Sequence, residues 1–302
     1  MVSDYPLEDF SQASSEQIED ALEAGQVVYF ARCPIDLPSA RDLDWLRSGL
    51  GGTLKAKNLS YHPEADSIPR FDADTDTRIR AENLLRAHGK RVADFWRRVV
   101  PDFTPGCTFG TTSFRPAEEK GRQLKPRSSN ELVHIDAGAY GATNGARILR
   151  FFVNLHPERE RVWGTKGSFE QLMQHHSALW EAARGGKRRV PVSKSPLDRL
   201  YSGAVSAASR VYPLLRVIDS SPYDRSMRRI HNYMKETDSF RRDRSDYREI
   251  RFPPFSAWMV FTDGISHAAL AGQYAFVSTA IIPLQNCRRF ERTPYGILAQ
   301  SA

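Results

Sequence analysis

Residues 147–155, RILRFFVNL, constrain this 302-residue chain more than any other segment. The run alternates strictly. Leu149, Phe151, Val153 and Leu155 would face one way, and Ile148, Arg150, Phe152 and Asn154 the other. Such a segment reads as a strand, and a strand needs neighbours to pair its backbone groups. Candidates lie on both sides: CTFGTTSFRP (107–116) and ELVHIDAG (131–138) before it, then YREIRFPPF (247–255), AWMVFTDG (257–264) and QYAFVSTAIIPL (273–284) after it.

Helical patterns surround these strands. Ser14 and Ser15 can cap a helix over 16–24 that Gly25 ends, and a short strand over 27–31 follows. A second helix over 42–50 meets Gly51 and Gly52. Asp76 can cap a long helix that carries Ile79, Leu84, Val92, Phe95 and Trp96 and stops before Pro101. Residues 168–180 and 197–217 also read as helical. Ser221 then caps a helix with Pro222 in its first turn, where proline is tolerated. The stripe Met227, Ile230, Met234 and Phe240 is core packing, not a cofactor box.

Strands on both sides of a helical stretch imply one interrupted β-core. The expectation is a mainly β fold with helical flanks: a double-stranded β-helix of the jelly-roll or cupin-like kind, enclosing a pocket. The whole chain, 1–302, would form one domain. Residues 1–105 would be a helical flank, 106–165 and 246–290 the β-core, and 166–245 a mostly helical insertion.

Chemistry concentrates at His134 and Asp136. On a strand, residues two apart share a face, so imidazole and carboxylate can converge on one ion. His267 follows the strand AWMVFTD and can complete the set. Two histidines and one carboxylate leave coordination positions open, which suits iron(II) that must bind a co-substrate and dioxygen together. A competing pair, His156 and Glu158, is separated by Pro157 in a segment that looks like a strand-ending turn. Arg150 interrupts an apolar strand with a charge, and a buried guanidinium requires an anion. Arg115 ends another strand, and Arg161 and Trp163 lie just beyond the Arg150 strand. Several arginines near one pocket point to bound carboxylates.

Composition narrows the partners. The formal net charge is +7, from 43 basic and 36 acidic residues. A basic balance favours anionic ligands or an anionic membrane surface, and no nucleic-acid motif is visible. Cys33, Cys107 and Cys287 are odd in number and far apart, which argues against a disulfide framework or a zinc site. The first residues carry acids and no apolar signal core, so the expected place is the cytoplasm, with peripheral contact to the inner membrane face. Residue patterns alone leave open an oxygenase for an acidic sugar or small natural product, and a jelly-roll protein that only binds anionic glycans.

Six segments in order, SFRP (113–116), VHIDAG (133–138), RILRFFVNLHP (147–157), RVWGTKGSFE (161–170), YDRSMRRIHNYMK (223–235) and WMVFTDGISHAALAGQYAF (258–276), resemble the Kdo hydroxylases. These are iron(II)/2-oxoglutarate oxygenases of Gram-negative bacteria. The resemblance implies a double-stranded β-helix and iron bound at His134, Asp136 and His267. It implies a pocket with Arg115, Arg150, Arg161 and Trp163. It further implies 2-oxoglutarate and dioxygen as co-substrates, and hydroxylation at carbon 3 of Kdo on lipid A to give Ko. Downstream of His267 the strand carries Val277 and Ser278, where a basic residue is common in the class. The far carboxylate of 2-oxoglutarate therefore falls to Arg150 or Arg161, with Arg115 and Trp163 facing the substrate.

Overall fold

The structure is a computed structural model that describes residues 3–50, 58–121, 123–139, 141–194 and 220–301. The helix expected over 197–217 and the stop at Gly51 and Gly52 lie outside the described residues.

Among the described residues ten strands form two sheets: β1 (Ser3–Asp4), β2 (Val28–Phe30), β3 (Leu59–Tyr61), β4 (Thr108–Arg115), β5 (Arg147–Asn154), β6 (Arg161–Thr165), β7 (Arg248–Phe252), β8 (Ala257–Phe261), β9 (Ala268–Ala271) and β10 (Ala275–Ile282). The larger sheet runs β2-β8-β5-β10-β4-β3 and is antiparallel throughout. The smaller runs β1-β7-β6-β9. In the larger sheet β5 is central, with Arg150 opposite Val260 on one side and Thr279 on the other.

The alternation of β5 decides the layering. Leu149, Phe151, Val153 and Leu155 enter a large core that contains Leu85, Val92, Phe95 and Trp96 of the helix Thr75–Val99. Phe95 and Phe151 meet there with ring centroids 5.5 Å apart. On the opposite face Phe152 joins Trp258, Val260 and Val277 against Trp163, Ile250 and Phe252 of the smaller sheet. Phe252 stacks on Trp258 at 3.7 Å. Each fully buried aromatic here contributes on the order of 1.5–3 kcal/mol of transfer free energy, so the two faces of β5 are secured independently. A third core lies in the insertion, where Phe169, Leu172, Met173, Met227, Ile230, Met234 and Phe240 gather.

This architecture corrects the expectation of a mainly β, double-stranded β-helix of jelly-roll or cupin-like form. Of the described residues 36% are helical and 22% are in strands, and neither sheet closes into a barrel. The reason is physical. The larger sheet is sealed on its outer face by a 25-residue helix, not by more strands. The two sheets share side-chain packing, and their edge strands are not hydrogen-bonded to one another.

Local differences follow the same pattern. Residues 131–138 form no ladder and make one isolated bridge, between His134 and His267. Short strands β6 and β9 appear where no strand was expected. The helix expected over 168–180 breaks at His176 into Phe169–His175 and Ser177–Arg184. Asp74, not Asp76, caps the long helix by accepting the Thr77 amide at 2.9 Å. The helix Pro222–Glu236 begins as expected, with Ser221 and Asp224 forming a capping box.

At the start of β5, Arg147 Nε donates to Asp263 at 2.6 Å, and both side chains are buried. Asp263 also accepts the Ile148 amide at 3.0 Å. This pair ties β5 to the turn that leads to His267. Asp263→Ala strands a buried guanidinium and should lower unfolding free energy by about 3–5 kcal/mol, read as a shift in the urea midpoint at unchanged m-value.

Candidate metal centre

His134 stands in the stretch between β4 and β5, and His267 between β8 and β9. Two backbone hydrogen bonds join them: His134 N to His267 O at 3.0 Å, and His267 N to His134 O at 2.8 Å. Asp136 is fixed a step further on, where its amide donates to Thr262 O at 2.9 Å. One ligand atom from each of the three lies within 4.8 Å of the others. His134 Nε2 is 3.9 Å from Asp136 Oδ1.

The donor set is chemically suited to a cation. His134 Nδ1 pairs with Leu132 O at 2.7 Å, and His267 Nδ1 with Ile265 O at 3.2 Å. A carbonyl can only accept, so both Nδ1 atoms carry the proton and both Nε2 lone pairs face the cluster. Burial pushes the pKa of each imidazole down, and the neighbouring imidazole depresses that of His134 further. Burial also works to raise the Asp136 pKa. The Arg150 guanidinium is the chief opposing influence, and the carboxyl is held well below its usual range. The cluster therefore presents two neutral imidazoles and one carboxylate. Asp136 Oδ2 is 3.0 Å from Arg150 Nη2 as an ion pair, yet it lacks a well-aligned hydrogen bond. That residual acceptor fits a metal ion.

A cavity of about 190 Å³ opens over this cluster, lined by Asn58, Arg115, Asn130, Arg150, Phe152 and Trp163 beside the three donors. That is below the roughly 300–1,000 Å³ of pockets for drug-sized ligands and suits a small acid. Arg115 Nε, Arg150 Nε and Trp163 Nε1 are buried without hydrogen-bond partners. Burial, with repulsion from Arg150 and Arg161, pushes the Arg115 pKa down to about 10. Trp163 stacks on His267 with ring centroids 5.2 Å apart.

Of the arginines expected in the pocket, Arg161 is the exception. Its side chain lies outside the lining, ion-paired to buried Glu119 at 3.2 Å and donating to Gly272 O at 3.1 Å. The competing pair is not brought together as metal donors, because His156 Nδ1 accepts the amides of Glu158 and Arg159 at 3.1 and 2.9 Å. Asn58 and Asn130 escaped the sequence reading, since neither sits in a patterned segment. A larger groove of about 650 Å³ runs between the first residues and the helix Phe169–His175. It holds no cluster of metal donors among the described residues.

A largely buried two-histidine, one-carboxylate cluster beside unsatisfied guanidiniums defines an enzyme of the non-haem Fe(II)/2-oxoglutarate-dependent dioxygenase class. The model of the family described as 3-deoxy-D-manno-oct-2-ulosonic acid (Kdo) hydroxylase matches residues 7–302. The chain belongs to that family. Solved structures agree in fold. The apo form of the Kdo hydroxylase KdoO superposes with a TM-score of 0.78 at 24% identity, covering 97% of this chain and 91% of that one. KdoO in complex with α-ketoglutarate and Fe(III) gives 0.77 at 23% identity, with the same coverage. Its cobalt(II) complex gives 0.77 at 24%, covering 98% and 93%. A search of curated proteins finds no match. No helix among the described residues is long and apolar enough to cross a membrane.

The ion pair has a pH consequence. Removing the guanidinium raises the Asp136 pKa, so the carboxylate protonates earlier on acidification. Arg150→Met should move the acid limb of cobalt(II) binding to higher pH, as followed by visible absorption across a pH series.

Proposed function

We propose that His134, Asp136 and His267 hold iron(II), and that the chain uses 2-oxoglutarate and dioxygen to hydroxylate carbon 3 of Kdo on lipid A, giving Ko. The observation that carries this reading is a charge imbalance. Two guanidiniums, Arg115 and Arg150, line the cavity and a third, Arg161, lies behind it, against two carboxylates, Asp136 and Glu119. Burying an unpaired cation costs several kcal/mol, so the pocket is built to receive anions. Both 2-oxoglutarate and the acidic sugar named by the family carry carboxylates.

When bound, the iron with its co-substrate supplies the oxidising chemistry that places one oxygen atom in a C–H bond. The chain's own residues bind, orient and exclude water. Arg150, on the central strand and next to Asp136, takes the far carboxylate of 2-oxoglutarate. Arg115, at the end of β4, takes the carboxylate of the sugar. Arg161 was the other candidate for the co-substrate. Its commitment to Glu119 assigns it instead to holding that acid in place and to adding positive potential behind Arg115. Trp163 forms a wall against His267, and its unpartnered indole N–H is available to an oxygen of the substrate. Phe152, packed edge-on to Trp163 at 4.9 Å, keeps the floor dry.

The cavity is too small for a glycolipid, so only the acidic sugar enters and the lipid stays outside. This supports action at the inner membrane face by a protein of the cytoplasm, with the +7 net charge favouring an anionic surface. Residues 1–302 act together as one oxygenase domain in this reading, because the pocket draws on segments from Asn58 to Ala269.

Two measurements test it. Protein loaded anaerobically with iron(II), 2-oxoglutarate and Kdo-lipid A should, on admitting oxygen, add one oxygen atom to Kdo and form succinate, and His134→Ala should do neither. Arg150→Ala should raise the KM for 2-oxoglutarate about tenfold or more, the equivalent of a charge-assisted hydrogen bond. Arg115→Ala should act on the sugar KM instead, and Arg161→Ala should leave the 2-oxoglutarate KM closest to that of the unaltered chain.

A further inference from the structure

We infer that the helix Pro222–Glu236 is a clamp that presets the metal donors, and that His231 is its positioning residue. The inference rests on the assignment of His134, Asp136 and His267 as the metal donors. The stretch that carries His134 and Asp136 belongs to no strand. Among its described residues it forms no ladder between β4 and β5, and apart from the bridge to His267 and the Asp136 amide bond to Thr262 O its donors depend on contacts from the insertion.

The helix holds this stretch at three points along one face. Asp224, His231 and Lys235 are spaced by seven and four residues, which places them in line on an α-helix. Asp224 Oδ1 accepts the Thr143 and Asn144 amides at 2.7 and 3.1 Å. His231 Nδ1 donates to Ile135 O at 2.6 Å. Lys235 Nζ donates to Arg127 O at 3.2 Å. Of the three, the middle contact falls between the donors themselves, since Ile135 separates His134 from Asp136. The Ile135 side chain is fully buried in the same core as Met227, Ile230 and Met234, so side chain and carbonyl of one residue are both seated on the insertion. The His231 ring also sets its edge against His134, with centroids 5.1 Å apart and planes at 81°.

His231 is not a ligand in this arrangement. It fixes the peptide between two ligands, and with it the direction in which imidazole and carboxylate point. Partners of this kind behind metal donors are worth about 10- to 100-fold in metal affinity.

The experiment compares His231→Phe, which keeps a ring but loses the donor, with His231→Asn, whose side-chain amide can donate near the same place. Cobalt(II) affinity and the visible spectrum of bound cobalt are measured on the full chain, alongside thermal unfolding of the metal-free protein. His231→Phe is expected to weaken cobalt binding about tenfold or more and to change the spectrum, with melting of the metal-free protein close to that of the unaltered chain. His231→Asn is expected to recover most of the affinity. Unweakened cobalt binding in His231→Phe, in a series where His134→Ala abolishes it, overturns the clamp alone. Equal losses in the Phe and Asn variants overturn it as well, and remain readable from the Asn variant if the Phe variant does not fold. Cobalt binding that survives His134→Ala overturns the metal assignment itself.

Discussion

A single bridge of two backbone hydrogen bonds, between His134 and His267, brings distant parts of the chain into one site. The residues are far apart in sequence, and no ladder extends the contact on either side. Because the bonds join the backbones of two donors, donor spacing is set by peptide geometry and not by flexible side chains. Each imidazole is then turned by a carbonyl two residues before it, Leu132 for His134 and Ile265 for His267. The same local device is used twice, and it points two lone pairs at one place.

The electrostatics follow from where that place lies. It opens beside the packed aromatic layer between two sheets, where charges are poorly hydrated and must be met by other charges. Asp136 faces Arg150, and Glu119 faces Arg161. Arg115 makes no such close ion pair among the described residues, and burial, with repulsion from Arg150 and Arg161, depresses its pKa. A folded chain that keeps such an arrangement forgoes stability to hold positive potential at its pocket, as sites for anions commonly do.

Legibility in the sequence tracked the range of the interactions. Period-two alternation marked β5 and placed Arg150 and Phe152 on one face, because side-chain direction in a strand is a local property. The two-residue spacing of His134 and Asp136 was also readable, although the reason differs: one bridge, and not a strand, gives them a common side. Capping at Ser14 and Ser221 is local chemistry and could be found. What depended on remote partners could not. Nothing near Arg161 announces Glu119, and nothing near Asn58 or Asn130 announces a pocket. The β content was overestimated because β-strands and a helix can cover the same apolar face, and here the helix Thr75–Val99 does so. Strands β6 (RVWGT) and β9 (AALA) carry no polar–apolar alternation that would reveal them.

The two-faced packing of β5 has a consequence for how the sheet assembles. A slip of one residue against β8 or β10 would turn every side chain of β5 over. Arg150 would then enter the layer of Phe95 and Trp96, and Phe151 would take its place beside Asp136. A guanidinium among those rings has no counterion, so the mispaired sheet is penalised at the residue that matters most to the pocket. The charge that waits for a ligand in the finished molecule thus acts earlier as a proofreader, rejecting the nearest wrong register before any ligand is bound.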